Sequence, residues 1–304
     1  MAWATVAAAD VQEWASVTVG NNYTQNPGGY YIKTDALASK ASMSSRLIDT
    51  GMVSQSFTGL NADGVVEQEL FTGQASAYGS FGSIKIGASY SLTNRLANGA
   101  NPAYVNADFS VNPGGVPTAF RAESWVRVND TLAVTGGAGL ETVEFTYRLT
   151  GHISSFEGEF NSVNETSLMV GGFMTSGQTG QDYFYDGDHD QLLVGRLKVV
   201  NGVVDYGLSM YAVTGLTTVY PEHPWWFHGR DSNGSIDFTH SMDLVSLVGR
   251  AADGSPVALT SAIGSTGFDY LTATAVPEPQ SLALMLAGLG LIGWRRLKAA
   301  ARTR

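Results

Sequence analysis

The strongest constraint on this sequence is a long succession of short β-rich runs separated by turn-forming residues. Within the runs, β-branched and aromatic residues alternate with polar ones, which is the period-two pattern of strands with one buried face. The runs are Ser16–Val19, Val65–Phe71, Gly82–Tyr90, Ser124–Val128, Thr131–Val134, Thr142–Leu149, Ser167–Met174, Leu192–Val200, Gly202–Thr214, Gly234–Thr239, Leu244–Arg250 and Val257–Thr260. This organisation predicts an all-β fold, an antiparallel β-sandwich or a jelly roll.

Two of the turn sequences predict β-hairpins. Asn201-Gly202 lies between LKVV and VVDY and suits a type I′ turn, because both central residues of that turn need positive φ. Asp253-Gly254, followed by Pro256, predicts a second hairpin with a longer loop.

Composition agrees with turn-rich β structure. Glycine accounts for 36 of 304 residues and charged residues for 14%, against usual values of about 7% and about 25%. The helix candidates before the tail are limited to Lys33–Leu47 and the region around Glu13. An isoelectric point near 4.9 argues against nucleic-acid binding, which needs clustered basic residues. The absence of cysteine excludes disulfides, thiolate metal sites and thiol nucleophiles.

No linker, charge run or repeat divides the chain before its C-terminal tail. All-β domains of this size occur as single units. We therefore expect one β-sandwich domain over residues 10–272.

The last 28 residues differ in charge from the rest of the chain. The net charge is −10, from 17 basic and 27 acidic residues. Residues 277–304 hold five of the basic residues and one of the acidic ones, so the rest holds 12 and 26, a net charge of −14. Such a contrast is expected when the two parts occupy different environments.

The tail has three parts, namely a proline-containing segment, an apolar stretch and a basic end. The two prolines of VPEP, at residues 276–279, fix φ and keep the residues before them out of the helical region. Residues 281–294 are uncharged and rich in leucine, alanine and glycine, and as a helix they cover about 21 Å of a hydrocarbon core about 30 Å thick. The helix gains length by continuing past Arg295 and Arg296, whose side chains can snorkel. The basic end predicts a single transmembrane helix with a cytoplasmic C-terminus.

This tail resembles the PEP-CTERM sorting signal of Gram-negative bacteria. The residues that carry the resemblance are Val276, Pro277, Glu278, Pro279, Arg295 and Arg296. The resemblance implies that residues 276–304 are recognised by exosortase, a membrane transpeptidase that removes the helix and passes the body to the cell surface or the exopolysaccharide matrix. A tail anchor that is never processed is the alternative. Body segments such as residues 75–92 also resemble other PEP-CTERM proteins, in which they look like parts of a β-sandwich of unassigned function.

The N-terminal sequence MAWATVAAAD lacks the basic start and the long apolar core of a signal peptide. Its three alanines before Asp10 nevertheless match the end of such a peptide. We expect residues 1–9 to be the remnant of a signal peptide whose start lies upstream.

An acidic segment, QDYFYDGDHDQL, offers candidate metal ligands. Its four aspartates are Asp182, Asp186, Asp188 and Asp190. Carboxylates at the alternate positions 186, 188 and 190 are oxygen ligands of the kind that calcium prefers. The EF-hand pattern fails, because Gln191 replaces the required glycine and Leu197 the bidentate glutamate. Two interpretations remain, a hydrated acidic turn or a calcium site of another loop type.

A second candidate is the aromatic segment YPEHPWWFHGR. Trp225 and Trp226 can form a platform for a sugar ring, or pack into the sandwich. His223 and His228 are five residues apart on a proline-containing loop without a third ligand, which disfavours a metal site. Signatures such as GxSxG and a P-loop are absent. A glycosidase carboxylate pair is defined by a spatial separation of about 5–9.5 Å, which a sequence does not contain.

Three functional hypotheses follow. The leading one is a non-enzymatic cell-surface or exopolysaccharide-matrix protein without a cofactor, anchored first in the inner membrane of a Gram-negative bacterium and then released by exosortase. The second is a lectin-like carbohydrate-binding module with an exposed row of aromatic residues. The third is a polysaccharide hydrolase, which requires a cleft with two facing carboxylates.

Overall fold

The computed structural model describes residues 9–26, 29–42, 45–60, 66–96, 119–157, 163–164, 166–172, 181–217 and 231–273. Within these ranges the chain forms sixteen strands and one short helix. In chain order they are β1 (Asp10–Asn26), β2 (Gly29–Ser42), β3 (Ile48–Asp49), β4 (Val53–Leu60), β5 (Val66–Ser80), β6 (Ser83–Leu96), β7 (Ala119–Gly136), β8 (Thr142–Glu157), β9 (Val163–Asn164), β10 (Ser167–Gly172), β11 (Gln181–Phe184), β12 (Gly187–Lys198), β13 (Val203–Thr217), β14 (Ser232–Arg250), β15 (Pro256–Val257), β16 (Leu259–Gly264) and α1 (Tyr270–Ala273).

The strands form two sheets, which confirms the predicted all-β class. Sheet 1 has the strand order β11-β10-β13-β7-β1-β2, with β16 beside β7 and β9 beside β13. Sheet 2 has the order β12-β8-β14-β6-β5-β3, with β15 beside β14 and β4 beside β5. In the described part of the chain each sheet has eight strands, and the strand pairs are antiparallel.

The two sheets pack face to face around a hydrophobic core. Alternate residues are buried from Ala122 to Val134 on β7 and from Val143 to Leu149 on β8, as expected when one face of each sheet is covered. The buried residues of both sheets belong to one core cluster. Burial of each large apolar side chain contributes about 1.5–3 kcal/mol, so this core is the main source of stability. The architecture fits the predicted β-sandwich, while the narrower jelly-roll assignment stays a prediction.

The predicted Asn201-Gly202 turn is present, but it does not connect two strands of one sheet. Asn201 and Gly202 have φ of 54° and 75°, and Val200 and Val203 exchange backbone hydrogen bonds of 2.8 and 3.0 Å. The strand before the turn, β12, lies in sheet 2, whereas β13 lies in sheet 1. The turn therefore carries the chain across the sandwich. The hairpin at this turn consists of the single Val200–Val203 pair.

The second predicted hairpin joins β14 to β15 and is confirmed. Gly254 has a φ of 82°, and Arg250 of β14 pairs with Pro256 of β15 across the loop. Asp253 accepts a hydrogen bond from the backbone N–H of Ser255 at 2.9 Å, which closes the turn in the way that aspartate favours.

The helix predicted over Lys33–Leu47 is wrong. Residues 33–42 belong to β2, which pairs with β1 from Glu13↔Ser42 to Asn26↔Gly29. Glu13 itself lies in β1, which also pairs with β7 on its other side. Because helix propensity is a weak preference, pairing with a strand that is already fixed in the sheet outweighs it.

Among the described residues, no helix has the length and apolar character needed to cross a membrane. The predicted membrane segment at residues 281–294 lies outside the described residues and stays a prediction. The domain limits at 10–272 and the signal-peptide remnant at 1–9 also stay predictions.

Candidate functional site

The acidic segment of the sequence lies where the chain crosses from sheet 1 to sheet 2. Asp182 is on β11 and pairs with Val170 of β10, while Asp188 and Asp190 are on β12, the outermost described strand of sheet 2. Residues separated by two along a strand share one face. The side chains of Asp188 and Asp190 therefore lie side by side on the outer face of sheet 2, next to β8.

Asp190 forms a two-point ion pair with Arg148 of β8. Arg148 Nε and Nη2 donate to the two carboxylate oxygens at 2.8 and 2.7 Å. The hydrogen bonds from Arg148 lower the pKa of Asp190, and those same bonds raise the pKa of Arg148. Both side chains are more than half exposed, so the pair orients the two groups more than it stabilises the fold.

The other two candidate ligands have partners of their own on β8. Asp188 Oδ1 lies 2.7 Å from His152 Nδ1, and the two oxygens of Asp186 accept from the Ser155 hydroxyl at 2.9 and 2.8 Å. Each carboxylate is thus paired across the strands with a different side chain. We call the three pairs, Asp186–Ser155, Asp188–His152 and Asp190–Arg148, the polar ladder.

The polar ladder separates the carboxylates that the calcium interpretation brings together. Calcium takes six to eight oxygen ligands at about 2.3–2.6 Å, whereas same-face neighbours on a strand are about 6.5 Å apart. Within the described residues, no three histidine, aspartate or glutamate side chains are grouped so as to hold a metal ion. The calcium site stays a prediction for Asp186, Asp188 and Asp190. Calorimetric titration tests it, and we expect no saturable heat; saturable heat that the Asp186→Ala/Asp188→Ala variant loses would restore the calcium interpretation.

A second charged cluster ties together three strands on the same outer face. Glu144 of β8 accepts from Arg196 Nε of β12 and from Arg250 Nη2 of β14, each at 2.6 Å. Glu144 is largely buried, and its hydrogen bonds with Arg250 and Arg196 lower its pKa. The cluster keeps Glu144 ionised and clamps β12 onto the body of sheet 2.

Exposed aromatic residues adjoin the polar ladder along the chain, a feature that the sequence analysis missed. Tyr185 precedes Asp186 and Phe156 follows Ser155, so each adjoins one member of the same ladder pair along the chain. Tyr183 lies two residues before Tyr185 on the same segment, and each of the three aromatic side chains is more than half exposed. The signal in the sequence is the run YFYD, in which aromatic residues adjoin an acid. Aromatic faces beside carboxylates can stack on a sugar ring and accept hydrogen bonds from its hydroxyl groups.

A buried polar network inside the sandwich also escaped the sequence analysis. Asp130 of β7 accepts from the Tyr270 hydroxyl at 2.9 Å and from the backbone and side chain of Ser265 at 3.0 and 2.8 Å. Tyr147 of β8 and Tyr206 of β13 share a hydrogen bond across the two sheets. Burial raises the pKa of Tyr147, Tyr206 and Tyr270. These hydroxyls therefore stay neutral at ordinary pH, and the network joins the two sheets and α1.

The remaining predicted site residues lie outside the described ranges. Trp225 and Trp226, with His223 and His228, fall in residues 218–230. The sorting residues from Val276 to Arg296 fall in residues 274–304.

The family comparison identifies the tail. Residues 275–297 match the family model of the PEP-CTERM protein-sorting motif, which confirms the resemblance inferred from VPEP, the apolar stretch and the arginine pair. No curated protein matches the chain significantly. The chain therefore carries a PEP-CTERM sorting signal after an all-β body.

Proposed function

We propose that this chain, sorted by its PEP-CTERM motif, is a non-enzymatic protein of the cell surface or the exopolysaccharide matrix of a Gram-negative bacterium. The match at residues 275–297 carries the proposal. A PEP-CTERM signal implies an exported, membrane-anchored precursor that exosortase processes. The finer steps, namely removal of the tail and residence in the matrix, belong to the proposal.

The body supports a structural role. The buried carboxylates of the described residues hold the fold together: Glu13 accepts from the backbone of Arg46 and Gly79, Asp130 binds Ser265 and Tyr270, and Glu144 binds two arginines. A polysaccharide hydrolase needs one carboxyl group as an acid and a second as a nucleophile or base. Because these carboxylates already bind arginine, hydroxyl and backbone donors within the fold, they favour a structural protein over such a hydrolase.

Cell fractionation tests the sorting step. We expect the wild-type chain to be shortened at its C-terminus and recovered from the surface or matrix fraction, and the Glu278→Ala variant to remain as the longer precursor in the membrane. Glu141→Ala, which changes an exposed glutamate of the body, is the matched control and should behave as wild type. Normal processing of the Glu278→Ala variant would overturn the role of the motif.

A lectin-like carbohydrate-binding module is the second candidate, and a specific observation favours it. Tyr183, Tyr185 and Phe156 are exposed and close to Asp186 or Ser155 along the chain, and Trp225 and Trp226 are further candidate contacts. The test is a glycan array, followed by calorimetry on the host exopolysaccharide.

The two candidates predict different results in these measurements. A matrix scaffold gives no glycan signal, while deletion of the gene weakens the biofilm. A lectin gives a saturable signal that Tyr185→Ala reduces and that Leu47→Ala, at an exposed apolar residue elsewhere, leaves unchanged. Release of new reducing ends from the polysaccharide would overturn both and support the hydrolase.

A further inference from the structure

β12 is an open edge of sheet 2 in the described part of the chain. It pairs with β8 along one side, from Gly187↔Ile153 to Lys198↔Thr142, and no described strand pairs with its other side. Apart from Gln191, which is also exposed, its exposed residues alternate with less exposed ones, so six exposed side chains share the outer face. They are Asp188, Asp190, Leu192, Val194, Arg196 and Lys198. A long edge with exposed apolar side chains is a template for pairing with another strand.

The order of these six side chains is self-complementary. Two acids come first, two apolar residues follow, and two bases come last. When two β12 strands run antiparallel about a two-fold axis at Leu193, each acid stands opposite a base, and Leu192 stands opposite Val194. The acid–base pairs are Asp188 with Lys198 and Asp190 with Arg196. Directly opposite side chains in an antiparallel pair share a face and interact.

We propose that β12 is a dimerisation edge, through which two copies of this chain join their second sheets into one continuous antiparallel sheet. The contact is isologous, because the same strand serves in both copies, and two-fold symmetry of this kind closes without further growth. Six opposed residue pairs on the outer face correspond to about ten backbone hydrogen bonds between the copies.

The charges select one register. Two identical antiparallel strands can slide only in steps that keep the same backbone groups facing each other. Shifting the pairing by two residues in one direction places Asp190 opposite Val194. Shifting it by two residues in the other direction places Leu192 opposite Arg196. Only the register centred on Leu193 gives both acids a base and pairs the two apolar residues.

Contacts within each copy prepare this edge for pairing. Arg148 holds Asp190, and Glu144 holds Arg196, in both cases from β8. The two inner charges of the edge are thereby oriented before a second copy arrives. Leu192 and Val194, at 62% and 56% exposure, are the apolar centre that the second copy would cover.

Disulfide trapping tests both the dimer and its register, because the chain contains no cysteine of its own. The full-length chain is purified in a mild detergent and oxidised, and the products are separated on a non-reducing gel. Leu193→Cys should form a covalent dimer, since directly opposed Cα atoms lie within the range a disulfide spans. Leu192→Cys alone and Val194→Cys alone should each stay monomeric, because in this register neither residue lies opposite the same residue of the second copy. A mixture of the two variants should cross-link, because Leu192 of one copy lies opposite Val194 of the other. The mixed experiment uses exposed positions, so it remains decisive if Leu193→Cys fails to fold.

Sedimentation over a concentration series supplies the second measurement. The Leu192→Lys/Val194→Lys variant places lysines opposite one another, and we expect its dimer dissociation constant to rise at least about tenfold. Leu47→Lys/Met52→Lys makes the same change at two equally exposed apolar residues and should leave the constant unchanged. A wild-type chain that is monomeric at all concentrations, or covalent dimers from Leu192→Cys alone with none from the mixture, would overturn the proposal. An equal loss of dimer in both lysine variants would overturn it as well.

Discussion

The hydroxyl of Tyr270 should contribute measurably to the stability of the sandwich. Tyr270 is fully buried, and its ring packs edge-on against Phe268 and Tyr206, with centroid distances of 4.8 and 5.9 Å. Tyr270→Phe keeps these ring contacts and removes one hydrogen bond, the 2.9 Å contact to Asp130. A buried hydrogen bond to a carboxylate contributes about 1.5–3 kcal/mol, so we expect a loss of about 2 kcal/mol in the free energy of unfolding. For a domain of this size that loss corresponds to a fall in Tm of about 4–8 °C.

Thermal and urea unfolding of the full chain, followed by circular dichroism, measure this loss. Tyr185→Phe removes a hydroxyl from an exposed tyrosine and should change the stability by less than about 0.5 kcal/mol. A double-mutant cycle identifies the partner, because Tyr270→Phe should cost little once Asp130→Ala has removed the acceptor. Equal stability of Tyr270→Phe and Tyr185→Phe would refute the role assigned to the hydrogen bond. An undiminished cost in the Asp130→Ala background would assign it to another contact.

Two further changes probe the core and the charged cluster. Gly264→Ala places a methyl group against Asp130 Oδ2 and should lower the free energy of unfolding by about 2 kcal/mol or more. The control Gly137→Ala, whose new methyl group has its nearest neighbour at 3.3 Å, should lower it little. Equal effects of the two variants would contradict the close packing at Gly264. The pKa of Glu144 lies below its ordinary 4.5, so its ion pairs stabilise the fold above that pH and lose their effect as the pH falls through the lower, folded-state pKa. Glu144→Gln should therefore lower the urea midpoint near neutral pH, and its midpoint should approach that of wild type as the pH falls below about 4.5. Glu141→Gln, at an exposed site, should show neither effect. A difference in midpoint between Glu144→Gln and wild type that is constant at every pH would exclude the charge as the cause.

The sandwich was predictable because its signal is local and repeated. Every second residue of β7 and β8 faces the core, so the period-two pattern of the sequence reports the fold directly. The turn at Asn201-Gly202 was predictable for the same reason, since the two residues themselves adopt the positive φ values. Which sheet each flanking strand joins depends on distant partners, so the turn sequence did not show that β12 and β13 belong to different sheets. The helix predicted over Lys33–Leu47 failed likewise, because the pairing of β2 with β1 is not visible in the residues of β2 alone.

The candidate site was predictable only in part. The sequence located the aspartates, but their partners on β8 lie 31 to 42 residues earlier in the chain. The register that brings Arg148, His152 and Ser155 alongside follows from the whole of sheet 2. Asp130 and Tyr270 are 140 residues apart, and neither has a local pattern that marks it as part of a network. The tail is the opposite case, since residues 275–297 form a contiguous motif and were identified without a structure.

The position of α1 has a mechanical consequence for a body tethered by its C-terminus. α1 ends at Ala273, immediately before the tail, and Tyr270 fastens it to Asp130 of β7. β16 leads into α1 and runs antiparallel to β7, an interior strand of sheet 1. Tension applied through the tail therefore reaches a strand flanked by neighbours on both sides, by way of the Tyr270 hydrogen bond and the β16 ladder. The Tyr270 hydrogen bond and the β16 ladder must therefore break before the pull can strip β7 from its neighbours, so the sandwich resists being unravelled from the end by which it is held.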